Sequence, residues 1–164
     1  MKYYIITDTH FGHDLMSSEE IGRPENFGEI ILKSLKQLPK DCVLVHLGDF
    51  CIGNDELHHK AFMDILDCRK VLVRGNHDKK SNTWYLEHGW DFVCESFYDT
   101  VCGQKIVFTH APIGWDGVAA MNIHGHLHNC SHRDIKTLSF NRLLALELHG
   151  YKPQPLEKFI SIKK

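Results

Sequence analysis

"KYYIITDTHFGH", Lys2 to His13, joins an apolar, β-rich run directly to a polar cluster. The run 2–7 predicts a strand, and Asp8, His10 and His13 follow at its end. The same junction recurs along the chain. "CVLVHL" (42–47) leads into "GD" (48–49), "KVLV" (70–73) leads into "RGNHD" (74–78), and "IVFTH" (106–110) ends on His110. Between the early strands, "NFGEIILKSLKQL" (26–38) has helical spacing at Ile30, Ile31, Leu35 and Leu38 before Pro39. "NDELHHKAFMDIL" (54–66) repeats the plan, with Asn54 as N-cap and Leu57, Ala61, Phe62, Ile65 and Leu66 as its apolar face. Strand–helix alternation of this kind predicts a parallel sheet. From about residue 90 the pattern changes. "WDFVCESFYDTVC" (90–102), "QKIVFTH" (104–110), "TLSF" (137–140) and "RLLALEL" (142–148) predict short strands, with little room for helices. The fold class is therefore α/β, with a second, β-rich half packed on the first. No repeat or linker divides the chain, so residues 1–164 are expected to form a single domain.

Composition excludes several function classes. The chain has 164 residues, 43% hydrophobic and 24% charged, which is enough to bury a core without disulfides. Six cysteines without a CxxC pair read as reduced, mostly buried small hydrophobes, and a structural role is expected for Cys130. A formal charge of −2 gives no bulk attraction to nucleic acid or to an acidic membrane. No apolar run approaches the roughly 20 residues of a membrane span. The N-terminus turns polar too early for a signal peptide, so a cytoplasmic location is expected. The sequence carries no signal for oligomeric state.

Histidine is the anomaly, with 13 residues, three of them in "HGHLHNC" (124–130). Any one strand-end Asp or Asn reads as a turn former or N-cap, and a lone His110 as a packed side chain. Together they differ, because ligands of open α/β sheets bind beyond the carboxyl ends of the strands. Asp8 and His10 are two apart, as are His126 and His128, which in an extended chain puts each pair on one side. Mixed oxygen and imidazole ligands without thiolate suit Mn, Fe, Zn, Ni or Co better than a closed structural zinc site.

"DTH" (8–10), "GD" (48–49), "GNHD" (75–78), "TH" (109–110) and "GHLH" (125–128), in that order, resemble the motif set of the calcineurin-like metallophosphoesterases. The tail "GYKPQPLEKF" (150–159), and "DTHFGH" followed by Arg23-Pro24, resemble the small bacterial and phage-type members. The resemblance implies two mixed β-sheets packed face to face and flanked by helices, a four-layer αββα sandwich. It also implies two divalent metal ions: Asp8, His10 and His128 on one, Asn76, His110 and His126 on the other, and Asp49 bridging. Manganese is the first expectation for these ions, with Fe, Zn, Ni, Co or Mg as alternatives. The implied reaction is in-line attack on phosphorus by a metal-bridging hydroxide, with His77 as general acid and Asp78 orienting its imidazole.

Arg74, His13 and Arg23, the last in the loop "IGRPENFG" (21–28), are candidate substrate contacts. His46 is expected to be packed beneath the site. Gly125 is expected to break the register, leaving His124 a neighbour rather than a ligand. The expected substrate is a small phosphodiester, nucleotide-like, ahead of a phosphomonoester or phosphoprotein; no membrane partner and no strong nucleic-acid signal are present. The rival reading is a non-catalytic scaffold on the same fold. A scaffold predicts eroded motifs, whereas all seven ligand positions and His77 are present.

Overall fold

β1 (Lys2–Ile6) and β2 (Cys42–His46) send alternate side chains into two separate cores. Tyr4, Ile6, Cys42 and Leu44 join one, while Tyr3, Ile5, Val43 and Val45 join the other. A strand buried on both faces reads as an uninterrupted apolar run, which is why these segments stand out in the sequence. The computed structural model describes residues 2–129 and 139–161.

The first sheet adds β3 (Arg69–Val73), β4 (Phe92–Cys94) and β9 (Gln154–Pro155), in the order β4-β3-β2-β1-β9. Its first four strands are parallel, and β9 closes the β1 edge antiparallel, pairing Tyr4 with Pro155 and Ile5 with Gln154. The second sheet runs β5 (Ser96–Val101), β6 (Gln104–Thr109), β7 (Met121–His124), β8 (Asn141–Leu143), with β5 antiparallel to β6 and the rest parallel. Two mixed sheets thus pack face to face through Ile5, Val45 and Val73 on one side and Ile106, Phe108 and Ile123 on the other.

Helices flank them. α1 (Phe27–Leu35) turns Phe27, Ile31 and Leu35, four apart, onto the outer face of the first sheet. α2 (Asp55–Met63) starts at Asn54, whose side chain accepts the Leu57 N–H at 3.1 Å, the cap read from the sequence. Phe62 from α2 and Tyr85 from α3 (Asn82–Glu87) fill the same core. Burying a side chain such as Phe62 stabilises the fold by about 1.5–3 kcal/mol. α4 (Leu156–Ser161) packs Leu156, Phe159 and Ile160 into the inter-sheet core.

Several expectations are corrected. α1 and α2 are shorter than 26–38 and 54–66. In α2 the buried face is His59 and Phe62, while Leu57 is 59% exposed and Ala61 also faces outward, because residue 57 lies about 200° around the helix from residue 59. "WDFVCESFYDTVC" divides at Glu95: β4 extends the first sheet and β5 begins the second. Ser139 and Phe140 of "TLSF" lie in a turn, and Thr137 and Leu138 lie outside the described residues. "RLLALEL" gives only the end of β8, and residues 146–149 form a 3-10 turn that stops at left-handed Gly150.

Candidate metal centre

The parallel strands all present their carboxyl ends to one rim. Asp8, Asp49, Asn76, His110 and His126 each lie within three residues of such an end, after β1, β2, β3, β6 and β7. Backbone hydrogen bonds lock these loops together. The Asp8 N–H donates to Gly48 O (2.9 Å), the His10 N–H to Asp49 O (3.1 Å) and the Gly125 N–H to His110 O (2.9 Å). Among the described residues, seven non-glycines have positive φ, and five are Asp8, His10, Asp49, His126 and His128, at 45–68°. A left-handed L-residue costs about 1–2 kcal/mol, so the rim holds stored strain of the kind that gathers at functional sites. The finding corrects the extended-chain argument. Asp8 and His10 converge because alternate residues turn left-handed, not because the segment is a strand.

Two groups of donor atoms result. Asp8, His10 and His128 form one, and Asp49, His110 and His126 the other, with ligand atoms inside each group within 4.8 Å of one another. Asp8 Oδ2 accepts the Thr7 hydroxyl (2.7 Å) and the His126 N–H (2.9 Å). Its Oδ1 is buried with no hydrogen-bond partner, and so is His10 Nε2, 3.9 Å away. His128 Nε2 lies 3.8 Å from the same oxygen. In the second group His110 Nδ1 donates to Leu47 O (2.8 Å), which turns its Nε2 into the group. That nitrogen faces Asn76 Oδ1 (3.0 Å), His126 Nδ1 (3.0 Å) and Asp49 Oδ2 (3.2 Å). Asp49 Oδ2 is also 3.7 Å from His10 Nε2, so a single oxygen adjoins both groups.

The donor set fits divalent metal ions. Leaving a buried polar atom without a partner costs about 1–3 kcal/mol, and Asp8 Oδ1 and His10 Nε2 are two such atoms aimed at one point. Electrostatics agree. Burial raises the Asp8 carboxyl against the pull of His128 and His110. Burial pushes His10 down to about 2. Burial also disfavours the charged form of His110, yet the hydrogen bond to Asp49 and the charge of Asp8 push it up to about 9. The second group draws positive charge.

The remaining candidates divide. His77 donates its backbone N–H to Asp49 Oδ1 (2.8 Å), and its imidazole is 41% exposed with Nε2 4.0 Å from Asp49 Oδ2. Asp78 does not orient that imidazole. Its buried carboxylate accepts three backbone N–H groups, of Gly75 (2.7 Å), Asp49 (2.9 Å) and Phe50 (3.0 Å), and so clamps two ligand loops together. Arg23 does not reach over the site either. Its side chain is fully buried beneath His128, bonded to Glu147 through Nε (2.8 Å) and Nη2 (2.7 Å), with Nη2 3.2 Å from His128 Nδ1. A buried guanidinium needs a carboxylate, and Glu147 supplies it. Glu147 carries no signal in the sequence, where it is a single acid in an apolar run.

His13 stands at the rim, its Nδ1 3.5 Å from His10 Nδ1 and its ring 6.3 Å from that of His77. Arg74 lines a cleft of about 540 Å³ that begins at Asn76, His110 and His126 and continues past Tyr98 and Ile113. Its guanidinium is bound to Glu95 (2.8 Å), Lys80 O (3.1 Å) and Asn82 (3.2 Å). His46 is fully buried beneath the loops, with Nε2 2.9 Å from Thr9 Oγ1. His124 is buried behind the rim and donates Nδ1–H to Gly125 O (2.9 Å). Gly125 does not have positive φ; a Cβ there would collide with Thr7 Oγ1 and Asp8 Oδ2. Cys130 lies outside the described residues.

No helix among the described residues is long and apolar enough to cross a membrane. A protein of Aquifex aeolicus of unknown function is similar in fold, with TM-score 0.73 and 24% identity over 97% of each chain. An archaeal phosphodiesterase shares the fold at TM-score 0.52 and 18% identity, over 88% of this chain and 82% of its own. The Pseudomonas putida nuclease MPE does so at 0.52 and 22%, over 77% and 61%. In sequence, an uncharacterized protein of Methanocaldococcus jannaschii is 25% identical across 98% of this chain and 90% of its own. The family model for calcineurin-like phosphoesterases matches residues 1–156, which contain both groups of donor atoms, and the chain belongs to that family.

Proposed function

We propose that this protein is a binuclear-metal phosphodiesterase acting on a small, nucleotide-like substrate. The observation that carries the reading is the position of Asp49 Oδ2, 3.2 Å from His110 Nε2 and 3.7 Å from His10 Nε2, between the two donor groups. In this reading Asp8, His10 and His128 hold one ion, Asn76, His110 and His126 the other, and Asp49 both. Such ions supply a water of lowered pKa and neutralise charge on the phosphoryl oxygens. Oxygen and imidazole ligands without thiolate suit Mn, Fe, Zn, Ni or Co, and manganese is our first assignment among them. His77 is the proton donor to the leaving oxygen: its backbone is anchored on Asp49 while its half-exposed imidazole remains free to meet substrate.

Two features support a diester. The cleft of about 540 Å³ beside Asn76, His110 and His126 has room for a second ester group. Arg74, the cation in its wall, is paired with Glu95 at 2.8 Å, which lessens its pull on a dianionic monoester. Hydrolysis of bis(p-nitrophenyl) phosphate and of p-nitrophenyl phosphate, each with Mn²⁺, Fe²⁺, Zn²⁺, Ni²⁺, Co²⁺ or Mg²⁺, tests the proposal. Faster turnover of the diester with Mn²⁺ is expected. Preference for the monoester would overturn the diester assignment, and no turnover with any metal would favour the scaffold.

A further inference from the structure

Glu147 lies behind His128, on the side away from Asp8. Its Oε1 accepts Arg23 Nε–H (2.8 Å) and Nη2–H (2.7 Å) and lies 3.3 Å from His128 Nδ1. The Arg23 side chain is 0% exposed and that of Glu147 7%. Arg23 is held further by the rings of Phe27 and Tyr151, 5.2 and 5.9 Å from its guanidinium carbon. The pair therefore has little freedom to move.

The position of the proton on His128 decides what the residue can do. A proton on Nδ1 meets Glu147 Oε1 at 3.3 Å, while Arg23 Nη2, a donor 3.2 Å from the same nitrogen, is engaged by that oxygen at the shorter distance of 2.7 Å. A proton on Nε2 would find Asp8 Oδ1 at 3.8 Å, too far for a hydrogen bond, and would block the nitrogen that faces Asp8. We propose that Glu147, anchored by Arg23, is a positioning residue that holds His128 in the Nδ1–H tautomer and so presents the Nε2 lone pair to the Asp8–His10–His128 group. The inference rests on the reading of His128 as a metal ligand. His110 is fixed in the same way by Leu47 O, a neutral acceptor, so the two donor groups differ in the charge behind one imidazole. A carboxylate in that place makes the imidazole the stronger donor.

The tautomer can be read without metal or substrate. In the ¹⁵N-labelled, metal-free protein, long-range ¹H–¹⁵N correlation spectra are expected to show His128 as Nδ1–H, moving toward Nε2–H in Glu147→Gln. Titration with Mn²⁺, followed by electron paramagnetic resonance, is expected to show one of two sites weakened about 10–100-fold in Glu147→Gln, the other unchanged. Glu147→Asp, which restores the charge, should recover part of the loss. An Nε2–H tautomer in the wild type overturns the inference and makes Arg23 the partner of Nδ1. Equal weakening of both sites, or of neither, also overturns it. If Glu147→Gln does not fold, the wild-type tautomer still decides. The expected tautomer and selective weakening without any phosphoester hydrolysis would sink the proposed function and leave this inference standing.

Discussion

The backbone N–H of His126 donates to Asp8 Oδ2 at 2.9 Å, joining residues 118 positions apart. The bond turns Asp8 Oδ1 toward His10 and His128 and ties the last ligand loop to the first strand. It forms only because residue 125 has no side chain.

Gly125→Ala should therefore damage the site through packing. The added Cβ collides with Thr7 Oγ1 and Asp8 Oδ2, and overpacking of this kind typically costs about 1–3 kcal/mol. Chemical denaturation should show that loss, with metal content falling first at the Asp8 group. Unchanged stability and full metal content would mean that the contact is not tight.

Metal should stabilise the fold, since it satisfies Asp8 Oδ1 and His10 Nε2. At a hundred times Kd a ligand adds about 2.7 kcal/mol. For a chain of this length each kcal/mol moves Tm by about 2–4 °C. Thermal scans with EDTA and with Mn²⁺ should separate by at least that much. Coincident scans with every divalent metal would argue against the centre.

His77 and Asp78 are adjacent but should fail in different ways. His77→Asn is expected to lower kcat about 10²–10⁴-fold with stability and metal content retained. Asp78→Asn replaces an acceptor of three N–H groups and should destabilise by about 1–3 kcal/mol before it affects chemistry. Loss of metal in His77→Asn would make His77 a ligand instead.

His46 makes stability depend on pH. Its Nδ1 accepts the Gly48 N–H (3.1 Å), so Nε2–H donates to Thr9 Oγ1 (2.9 Å), and Thr9 donates to Phe50 O (2.7 Å). Burial pushes His46 down to about 3 from 6.5. Between those values the unfolded chain binds a proton there and the folded chain does not. The contribution is therefore whole above pH 6.5 and lost as pH falls toward 3, by at most about 1.4 kcal/mol per pH unit. Metal-free His46→Gln should lose stability less steeply than wild type over this window. Parallel curves for the two proteins would refute the assignment.

Tyr98, 48% exposed on the cleft wall, should contact the ester group distal to the metals. An aromatic contact is worth about 0.5–1.5 kcal/mol, so Tyr98→Ala should raise KM for an aryl or nucleotidyl diester about three- to tenfold. Steady-state kinetics with kcat unchanged would support this; an unaltered KM would remove Tyr98 from the subsite.

Much of this was legible in the chain because strands buried on both faces are apolar runs, and because carboxylate and imidazole cannot be left in a core without a partner. The ends of β1, β2, β3 and β6 could be located, and Asp8, Asp49 and His110 stood beyond them. The cap at Asn54 was legible for a similar reason, since its partner, Leu57, is three residues away. Glu147 and Arg23, separated by 124 positions, were not. Nor was the role of Asp78, whose residue type suits a catalytic dyad as well as a loop clamp.

The sequence by itself determined the α/β class, the strand-end chemistry and the candidate ligand identities, all of which depend on residue type and local periodicity. Tertiary structure decided that Asp8, His10, Asp49, His126 and His128 reach the rim through left-handed backbone, and that Asp49 Oδ2 adjoins both donor groups. It also decided that Arg23 lies beneath the site with Glu147. Periodicity reports which way a side chain leaves its own element. Which acceptor it meets there depends on how distant elements pack.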